Sequence, residues 1–351
     1  MAASATQTPQ QGGEPSRSGG RFLGFLYFML VVLVTLITTT NLVTDYARTR
    51  ADLEQRVTAY AQSMATDIRW YLEVAWQTLD RTAADLKSLT DKAEITAAVE
   101  TSQAELPEGV SILVYDANGH AIAGSHYDGT PIEVSDRHYF QELKDGKEEV
   151  ISHLLTDRMT GAATFAVAKA LHAEDGSFAG AIATYAPMPL LSAAWLSIGD
   201  TNSNAFIVHE DGWLTGRMPP VPTDIYDNPV SQEFVSNFTR AERGVYWAPV
   251  SPIDGIDRVL GYAKTAGSPL IAVVGIDPES YFADFWHRVL ITIATLLPVL
   301  LFLGFATRRS QAIMRRQEET ARQLGISHAR NETLLLEIHH RVKNNLQTVM
   351  A

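Results

Sequence analysis

Two adjacent histidines near the end of the sequence are the side chains best suited to do chemistry. His339 and His340 lie in a segment whose apolar residues recur at steps of three and four: Leu335, Ile338, Val342, Leu346 and Val349. This spacing predicts a helix with one apolar stripe. At about 100° per residue, His340 lies roughly 160° from the centre of the stripe and His339 roughly 60° from it. We therefore expect His340 to face solvent and His339 to pack.

An exposed imidazole can act as a nucleophile. At cytoplasmic pH it is largely neutral, so one ring nitrogen keeps a lone pair that can attack a phosphorus atom. The spacing alone also fits a second interpretation, in which both histidines are inert residues on the solvent-exposed side of a coiled coil.

The residues around the pair favour the first interpretation. The segment EIHHRVKNNLQ, residues 337–347, resembles the phosphoacceptor box of the HWE-like branch of sensor histidine kinases, the second His-kinase-A phosphoacceptor type. The resemblance implies that His340, directly before Arg-Val-Lys-Asn, takes a phosphoryl group from ATP with Mg²⁺ and passes it to an aspartate of a cytoplasmic response regulator. Commoner histidine kinases have an acidic residue after the histidine, where this chain has Arg341. Our hypothesis is that Glu337 polarises the imidazole instead.

The same resemblance implies a homodimer, because the apolar stripe of this helix belongs in a dimeric four-helix bundle. Eleven residues follow His340. We therefore expect the second bundle helix and the ATP-binding domain to lie in a longer protein, and this chain to be inactive alone and to bind no cofactor itself.

Length and composition limit the number of domains and the kinds of site that the chain can have. With 351 residues, 46% hydrophobic content and no cysteine, it has room for about two domains and has no disulfides, thiolate metal site or cysteine nucleophile. Residues 1–21 are rich in Gly, Ser, Gln and Pro and are expected to form a disordered cytoplasmic tail.

Two charge-poor apolar runs predict transmembrane helices at residues 22–43 and 287–306. The first would extend for about 33 Å as a helix, and Thr38–Asn41 fits the cleavage site of a signal peptide poorly. Basic residues lie beyond both outer ends, for example Arg21 and Arg308. This pattern predicts a multi-pass protein of the bacterial cytoplasmic (inner) membrane, with both termini cytoplasmic and residues 44–288 extracytoplasmic.

The charge distribution argues against nucleic acid as a partner. Residues 1–43 carry a net charge of +1 and residues 307–351 carry +4, so −17 remains for the residues between them in a chain of net charge −12. An acidic domain of this kind is a poor nucleic-acid binder.

The extracytoplasmic part is expected to be an α+β structure. A stalk helix is predicted over residues 44–92, and strand–turn–strand patterns follow in two similar sets, at 93–198 and 199–286. Together with the segments Asp136–Phe140, Gly180–Ala183 and Val273–Asp277, this arrangement resembles the double Cache, PAS-like sensor domain of bacterial receptors. The resemblance makes 93–198 the membrane-distal unit, 199–286 the membrane-proximal unit, and the distal unit the usual place for a small-molecule ligand.

The resemblance also implies ligand-binding residues. Arg137 would bind a carboxylate as a bidentate fork, with Tyr139 and Phe140 as aromatic walls, and Lys169 is a candidate second cation. Tyr185 stands where the amino-acid-binding version of the family has an aspartate for the ligand amine. We therefore expect a ligand with a carboxylate and no amine, such as a small organic acid.

The alternative for Arg137 is a structural role, paired with Asp136 or Asp157. No metal site is expected, because the histidines lack the spacing of zinc ligands; they are His120, His138, His153, His172 and His209.

Residues 307–333 are predicted to be a signalling helix, with Gly325 as a point of interruption, and residues 334–351 the truncated start of the phosphoacceptor domain.

Two functions compete with the kinase. One is a non-enzymatic transmembrane ligand receptor that dimerises through its cytoplasmic helix; the other is a chemoreceptor, which needs a long methylated coiled coil not found in this sequence.

Overall fold

The computed structural model describes residues 18–87, 89, 91–125, 127–188, 202–226, 229–248, 250–251 and 253–349. Its helices are α1 (Ser18–Leu86), α2 (Lys92–Gln103), α3 (His138–Lys144), α4 (Gln232–Thr239) and α5 (Pro278–Val349). Its strands are β1 (Ser111–Asp116), β2 (Ala121–Gly124), β3 (Glu149–Ile151), β4 (Leu155–Thr156), β5 (Ala163–His172), β6 (Phe178–Pro187), β7 (Asn204–His209), β8 (Leu214–Met218), β9 (Arg243–Ala248), β10 (Arg258–Lys264) and β11 (Leu270–Ile276). The predicted tail falls almost wholly outside these residues.

The chain divides into two compact units, of which Ala47–Ala283 is one and the residues before and after it form the other. Ala47–Ala283 holds two antiparallel sheets. The first β unit has strand order β2-β1-β6-β5-β3, with β4 also paired to β5, and the second has order β8-β7-β11-β10-β9. In each, a hairpin pairs with the last strand of its unit, so the predicted tandem of similar units is confirmed.

Helix α1 supplies one long apolar face to the core. Its buried residues recur at helical spacing: Leu53, Val57, Ala61, Met64, Ile68, Leu72 and Leu79. Gly261 of β10 lies so near that an added Cβ would be 2.2 Å from the carbonyl carbon of Val57. The absence of a side chain at this position therefore lets the second sheet approach the helix backbone.

The predicted stalk helix is shorter than expected. It ends at Leu86, and a separate helix, α2, begins at Lys92. Thr82 donates a hydrogen bond to Ser102 over 2.7 Å, and Arg81 is paired with Glu105. These tertiary contacts hold α2 back against α1, although no glycine or proline marks the break.

The last strand of the second β unit leads directly into α5. Asp277 caps this helix, since its Oδ1 accepts from the backbone N–H of Glu279 at 2.8 Å and its Oδ2 accepts from Ser280 Oγ at 2.8 Å. Pro278 takes the first helical position, where its missing N–H costs nothing. Asp277 Oδ2 also accepts from Asn202 Nδ2 at 3.0 Å, on the segment that enters the second β unit.

Helix α5 continues to Val349 through Gly325, so the predicted interruption there is wrong. A single exposed glycine costs a helix only about 1 kcal/mol relative to alanine, which the flanking turns tolerate. Pro298 also lies inside the helix.

Helices α1 and α5 each contain a stretch long and apolar enough to cross a membrane. In the unit formed by the chain ends, Tyr27 Oη donates to the carbonyl oxygen of Leu300 at 3.0 Å, and Arg288 pairs with Asp45 at 3.1 Å. The large apolar side chains of both stretches are exposed, for example Phe28 and Phe302, as expected for surfaces that face lipid.

Candidate ligand-binding site

Three tyrosine hydroxyls meet on the face of the first sheet that packs against α3. Tyr185 Oη lies 2.7 Å from Tyr139 Oη and 2.6 Å from Tyr115 Oη. Burial raises the pKa of Tyr139 to about 12, and burial likewise raises the pKa values of Tyr115 and Tyr185. All three groups therefore stay neutral hydroxyls at physiological pH and form a continuous chain of donors and acceptors.

Arg137 lies at the edge of this cluster, immediately before α3. Its Nη2 donates to the carbonyl oxygen of Thr156 at 2.8 Å. Asp136 instead pairs with Arg158 at 2.5 Å, and Asp157 accepts from Met159 and Thr160. Among the described residues Arg137 thus has no ion pair with either aspartate, and a carbonyl group takes the structural role that those carboxylates were expected to fill.

Arg137 and the tyrosines line one small cleft. Its further lining includes Asp157 and Arg158, and its volume is about 10 Å³, enough for about one water molecule. Arg158 and Tyr115 were not anticipated as site residues. Tyr115 could have been found from strand alternation, because Leu113 and Tyr115 face the same side of β1 and both line the cleft.

Phe140 does not line the cleft but packs behind it. Its side chain is 1% exposed, and its ring lies edge-on to Tyr115 and Phe178 at centroid distances of 6.5 and 5.6 Å. The expected aromatic wall at this position therefore belongs to the core of the first β unit.

Lys169 is not part of the site. Its Nζ lies 2.7 Å from Asp80 of α1 and 2.8 Å from Glu149 of β3. The prediction that Lys169 is a second cation for the same ligand is therefore wrong. Successive residues of a strand point to opposite faces, so Ala168 and Ala170 face the tyrosines and Lys169 faces away.

A wider groove of about 480 Å³ lies between the two β units and α1. Three rings stack along it. The ring centroid of His153 lies 5.0 Å from that of His138 on one side and 4.2 Å from that of Trp213 on the other. His209 Nδ1 lies 2.7 Å from Asp211. Within the described ranges, no three His, Asp or Glu side chains are arranged to hold a metal ion.

These features, with two tandem sheets on a long helix, agree with a family model described as the Cache domain, which matches residues 43–285. The chain belongs to the Cache domain family. Its fold is similar to the extracellular domain of rpHK1S-Z16, a protein assigned to the histidine kinases (20% identity, TM-score 0.50, covering 68% of this chain and 98% of that one). None of the curated proteins matches this chain in sequence.

Sensory domains of two chemoreceptors are also among the similar solved structures, with lower TM-scores. The periplasmic sensory domain of Campylobacter jejuni Tlp1 is 13% identical, with a TM-score of 0.48 and coverage of 67% and 98%. The ligand-binding domain of the Pseudomonas aeruginosa amino-acid chemoreceptor PctC, in complex with GABA, is 16% identical, with a TM-score of 0.47 and coverage of 64% and 100%.

Beyond the Cache domain, the predicted phosphoacceptor residues lie on α5. His339 and His340 are both exposed, so accessibility does not distinguish a packing histidine from a reactive one. Glu337 Oε1 accepts from Arg341 Nη2 at 2.6 Å, one helical turn away. Arg341 therefore holds the carboxylate that was expected to polarise His340.

Proposed function

We propose that this chain is the sensor portion of a membrane-bound two-component histidine kinase. In this proposal, a small molecule bound by the Cache domain controls ATP-dependent phosphorylation of His340, and the phosphoryl group then passes to an aspartate of a response regulator. The observation that supports it is helix α5, which begins at Pro278 directly after the last strand of the Cache domain and continues to Val349 as one helix carrying His340. A change in the first turn of α5 has a continuous helical path to the histidine.

The environment of His340 suits a phosphoacceptor. The ring is exposed at the helix surface, so the γ-phosphate of Mg-ATP held by another domain can reach a ring nitrogen. In the transfer, that nitrogen forms a bond to phosphorus as the bond to ADP breaks. Glu337 is the proposed acceptor of the ring proton, through the oxygen that Arg341 does not engage.

A homodimer is proposed because the apolar residues of this part of α5 are exposed. Leu335 and Ile338 are 62% and 57% exposed, and a stripe of this kind gains stability by packing against a second helix. The proposal places both termini in the cytoplasm of a bacterial cell and residues 44–288 outside its inner membrane.

Phosphorylation of the full-length protein with radiolabelled ATP and Mg²⁺ tests the kinase. We expect label that is stable in base and lost in acid, absent from His340→Gln and retained by the matched control His339→Gln. Label that persists in His340→Gln contradicts the role of His340. A full-length protein that takes up no label, with or without ligand, leaves the non-enzymatic receptor as the function.

We further propose that a small organic acid binds at Arg137, with its carboxylate on the guanidinium and its polar groups on the tyrosine hydroxyls. The cleft must open for this, since its present volume of about 10 Å³ holds about one water molecule. Calorimetry of the whole chain with a panel of organic acids tests it. Arg137→Ala is expected to weaken binding at least about tenfold, and Lys169→Met, which changes a cation outside the cleft, to leave it intact; undiminished binding by Arg137→Ala would end the assignment.

A further inference from the structure

The second β unit contains a pocket of about 470 Å³, separate from the Arg137 cleft. The sheet contributes Phe206, Leu214 and Leu260 to its walls, and α4 contributes Phe234. This volume falls within the range of small-molecule sites, which are mostly apolar with a few convergent polar groups. The polar groups of this pocket are therefore the ones to examine.

Two buried arginines line the pocket, and one of them is fully engaged. Arg258 is 4% exposed, and its Nη1 and Nη2 lie 2.9 and 2.8 Å from the two carboxylate oxygens of Asp254. Its Nε donates to the carbonyl oxygen of Asn202 at 2.8 Å. This bidentate pair neutralises the charge of Arg258 with that of Asp254.

Arg217 shares this aspartate but is poorly satisfied. Its side chain is 6% exposed, and its Nη2 lies 3.6 Å from Asp254 Oδ2, beyond hydrogen-bond distance. Its buried Nε has no hydrogen-bond partner among the described residues. In the described lining of the pocket, two guanidinium groups therefore share one carboxylate, and a buried positive charge is left without compensation, which is unfavourable.

The electrostatics of Arg217 agree with a need for an anion, and Asn204 adds a further polar group to the pocket. Burial lowers the pKa of Arg217, against the opposite effect of Asp254. Asn204 lines the same pocket, is 3% exposed, and has an Oδ1 without a partner among the described residues. The pocket is therefore lined by a second buried side chain with an unsatisfied polar atom, besides Arg217.

We infer that this pocket binds a monocarboxylate with an apolar, preferably aromatic, body. The carboxylate accepts from Arg217 and completes the charge balance with Asp254 and Arg258. The apolar body packs against Phe206 and Phe234, whose rings are stacked 6.4 Å apart.

The charge count favours a monoanion over a phosphate-like dianion. One negative charge neutralises the excess on Arg217, whereas two would leave a net negative charge within apolar walls. The inference is independent of the role of His340, since it concerns binding alone and needs no ATP.

Calorimetry of the whole chain in lipid nanodiscs tests the inference with acid–amide pairs of the same shape: phenylacetate with phenylacetamide, and hexanoate with hexanamide. We expect at least one acid to bind, and its amide to bind about 10- to 100-fold more weakly, as for loss of a charge-assisted hydrogen bond. Arg217→Met should weaken acid binding by a similar factor, and Arg217→Lys by less. Lys169→Met, which changes a cation that lines neither this pocket nor the Arg137 cleft, should leave it unchanged.

Three results would overturn the inference: neither acid binds the wild-type chain, the amides bind as well as the acids, or Arg217→Met binds the acid with unchanged affinity. The comparison of acid with amide needs no Arg217 variant: repeated with the Arg137→Ala chain, which lacks the other proposed carboxylate site, it decides even where the Arg217→Met chain fails to fold.

Discussion

The imidazole of His153 lies flat against the indole of Trp213, with ring centroids 4.2 Å apart and planes inclined by 11°. His153 lies just before β4 in the first β unit, and Trp213 just before β8 in the second. The next residue of each segment continues the contact, because Leu154 N–H donates to the carbonyl oxygen of Leu214 at 2.6 Å. The two β units are thus joined through adjacent ring and backbone contacts.

This stack makes stability depend on pH. Burial, and then the charge of His138, lower the pKa of His153 to about 4, although Asp211 and Glu142 act in the opposite direction. The unfolded ring has a pKa of about 6.5, so the unfolded state binds an extra proton between about pH 4 and 6.5. The stability contributed by the neutral ring is full above this window and is lost as pH falls through it.

We therefore expect the Tm of the wild-type chain to fall more steeply between pH 7 and 4 than that of His153→Phe, which keeps a ring against Trp213 without the proton. The difference should correspond to roughly 1 kcal/mol after allowance for partial exposure. His328→Gln, at an exposed position of α5, is the matched control and should follow the wild-type curve. Parallel curves for wild type and His153→Phe would rule out this titration.

Tyr185→Phe should destabilise the first β unit. The substitution leaves the buried hydroxyls of Tyr115 and Tyr139 without their common partner, at a cost of about 1–3 kcal/mol. Tyr127→Phe removes a longer bond, 3.2 Å to the carbonyl oxygen of Ala121, and should cost less. Chemical denaturation of both variants measures the difference, and equal losses would argue against a cooperative tyrosine trio.

Gly261→Ala should be among the most damaging single-methyl additions in the chain. The new Cβ would lie 2.2 Å from both the carbonyl carbon and oxygen of Val57, so β10 and α1 would have to separate, at a cost on the order of 3 kcal/mol. The matched change Gly325→Ala meets no atom within 4 Å and should favour the helix by about 1 kcal/mol. Thermal unfolding followed by circular dichroism compares them; a Gly261→Ala chain as stable as wild type would contradict the close approach.

Lys169→Met should alter stability slightly and ligand binding not at all. Its ion pairs with Asp80 and Glu149 are partly exposed, and such pairs contribute about 1 kcal/mol or less each. The small loss of stability should shrink further in high salt, which screens the wild-type pairs. Loss of organic-acid binding in Lys169→Met would show that the lysine does contact the ligand, contrary to its position in β5.

Much of the fold could be predicted from local patterns. Apolar, β-branched runs and turn residues such as Asn118-Gly119 predicted the hairpins, and the order of the two sheets confirmed the tandem repeat. The end of α1 at Leu86 could not be predicted in this way. It depends on tertiary contacts such as Thr82 with Ser102, which no nearby residue signals.

The site was only partly predictable for a similar reason. Arg137, Tyr139 and Tyr185 do lie together, but the tyrosine trio joins residues 46 and 70 positions apart in the sequence. Phe140 and Lys169 were misplaced because residue type was considered without the face of the helix or strand. Nothing in the sequence singled out Arg217, because an arginine in a strand becomes a candidate binding residue only when its burial and its missing partner are seen.

Asp277 belongs at once to the start of α5 and, through Asn202, to the segment that enters the second β unit. One carboxylate therefore bonds both to the entering segment and to the first turn of the helix. If that segment moved by more than a hydrogen-bond length, Asp277 would have to release either Asn202 or the first turn of α5. The junction would thus turn a gradual displacement into a choice between two bonding states, which suits the proposed transmission of ligand binding from the Cache domain into α5.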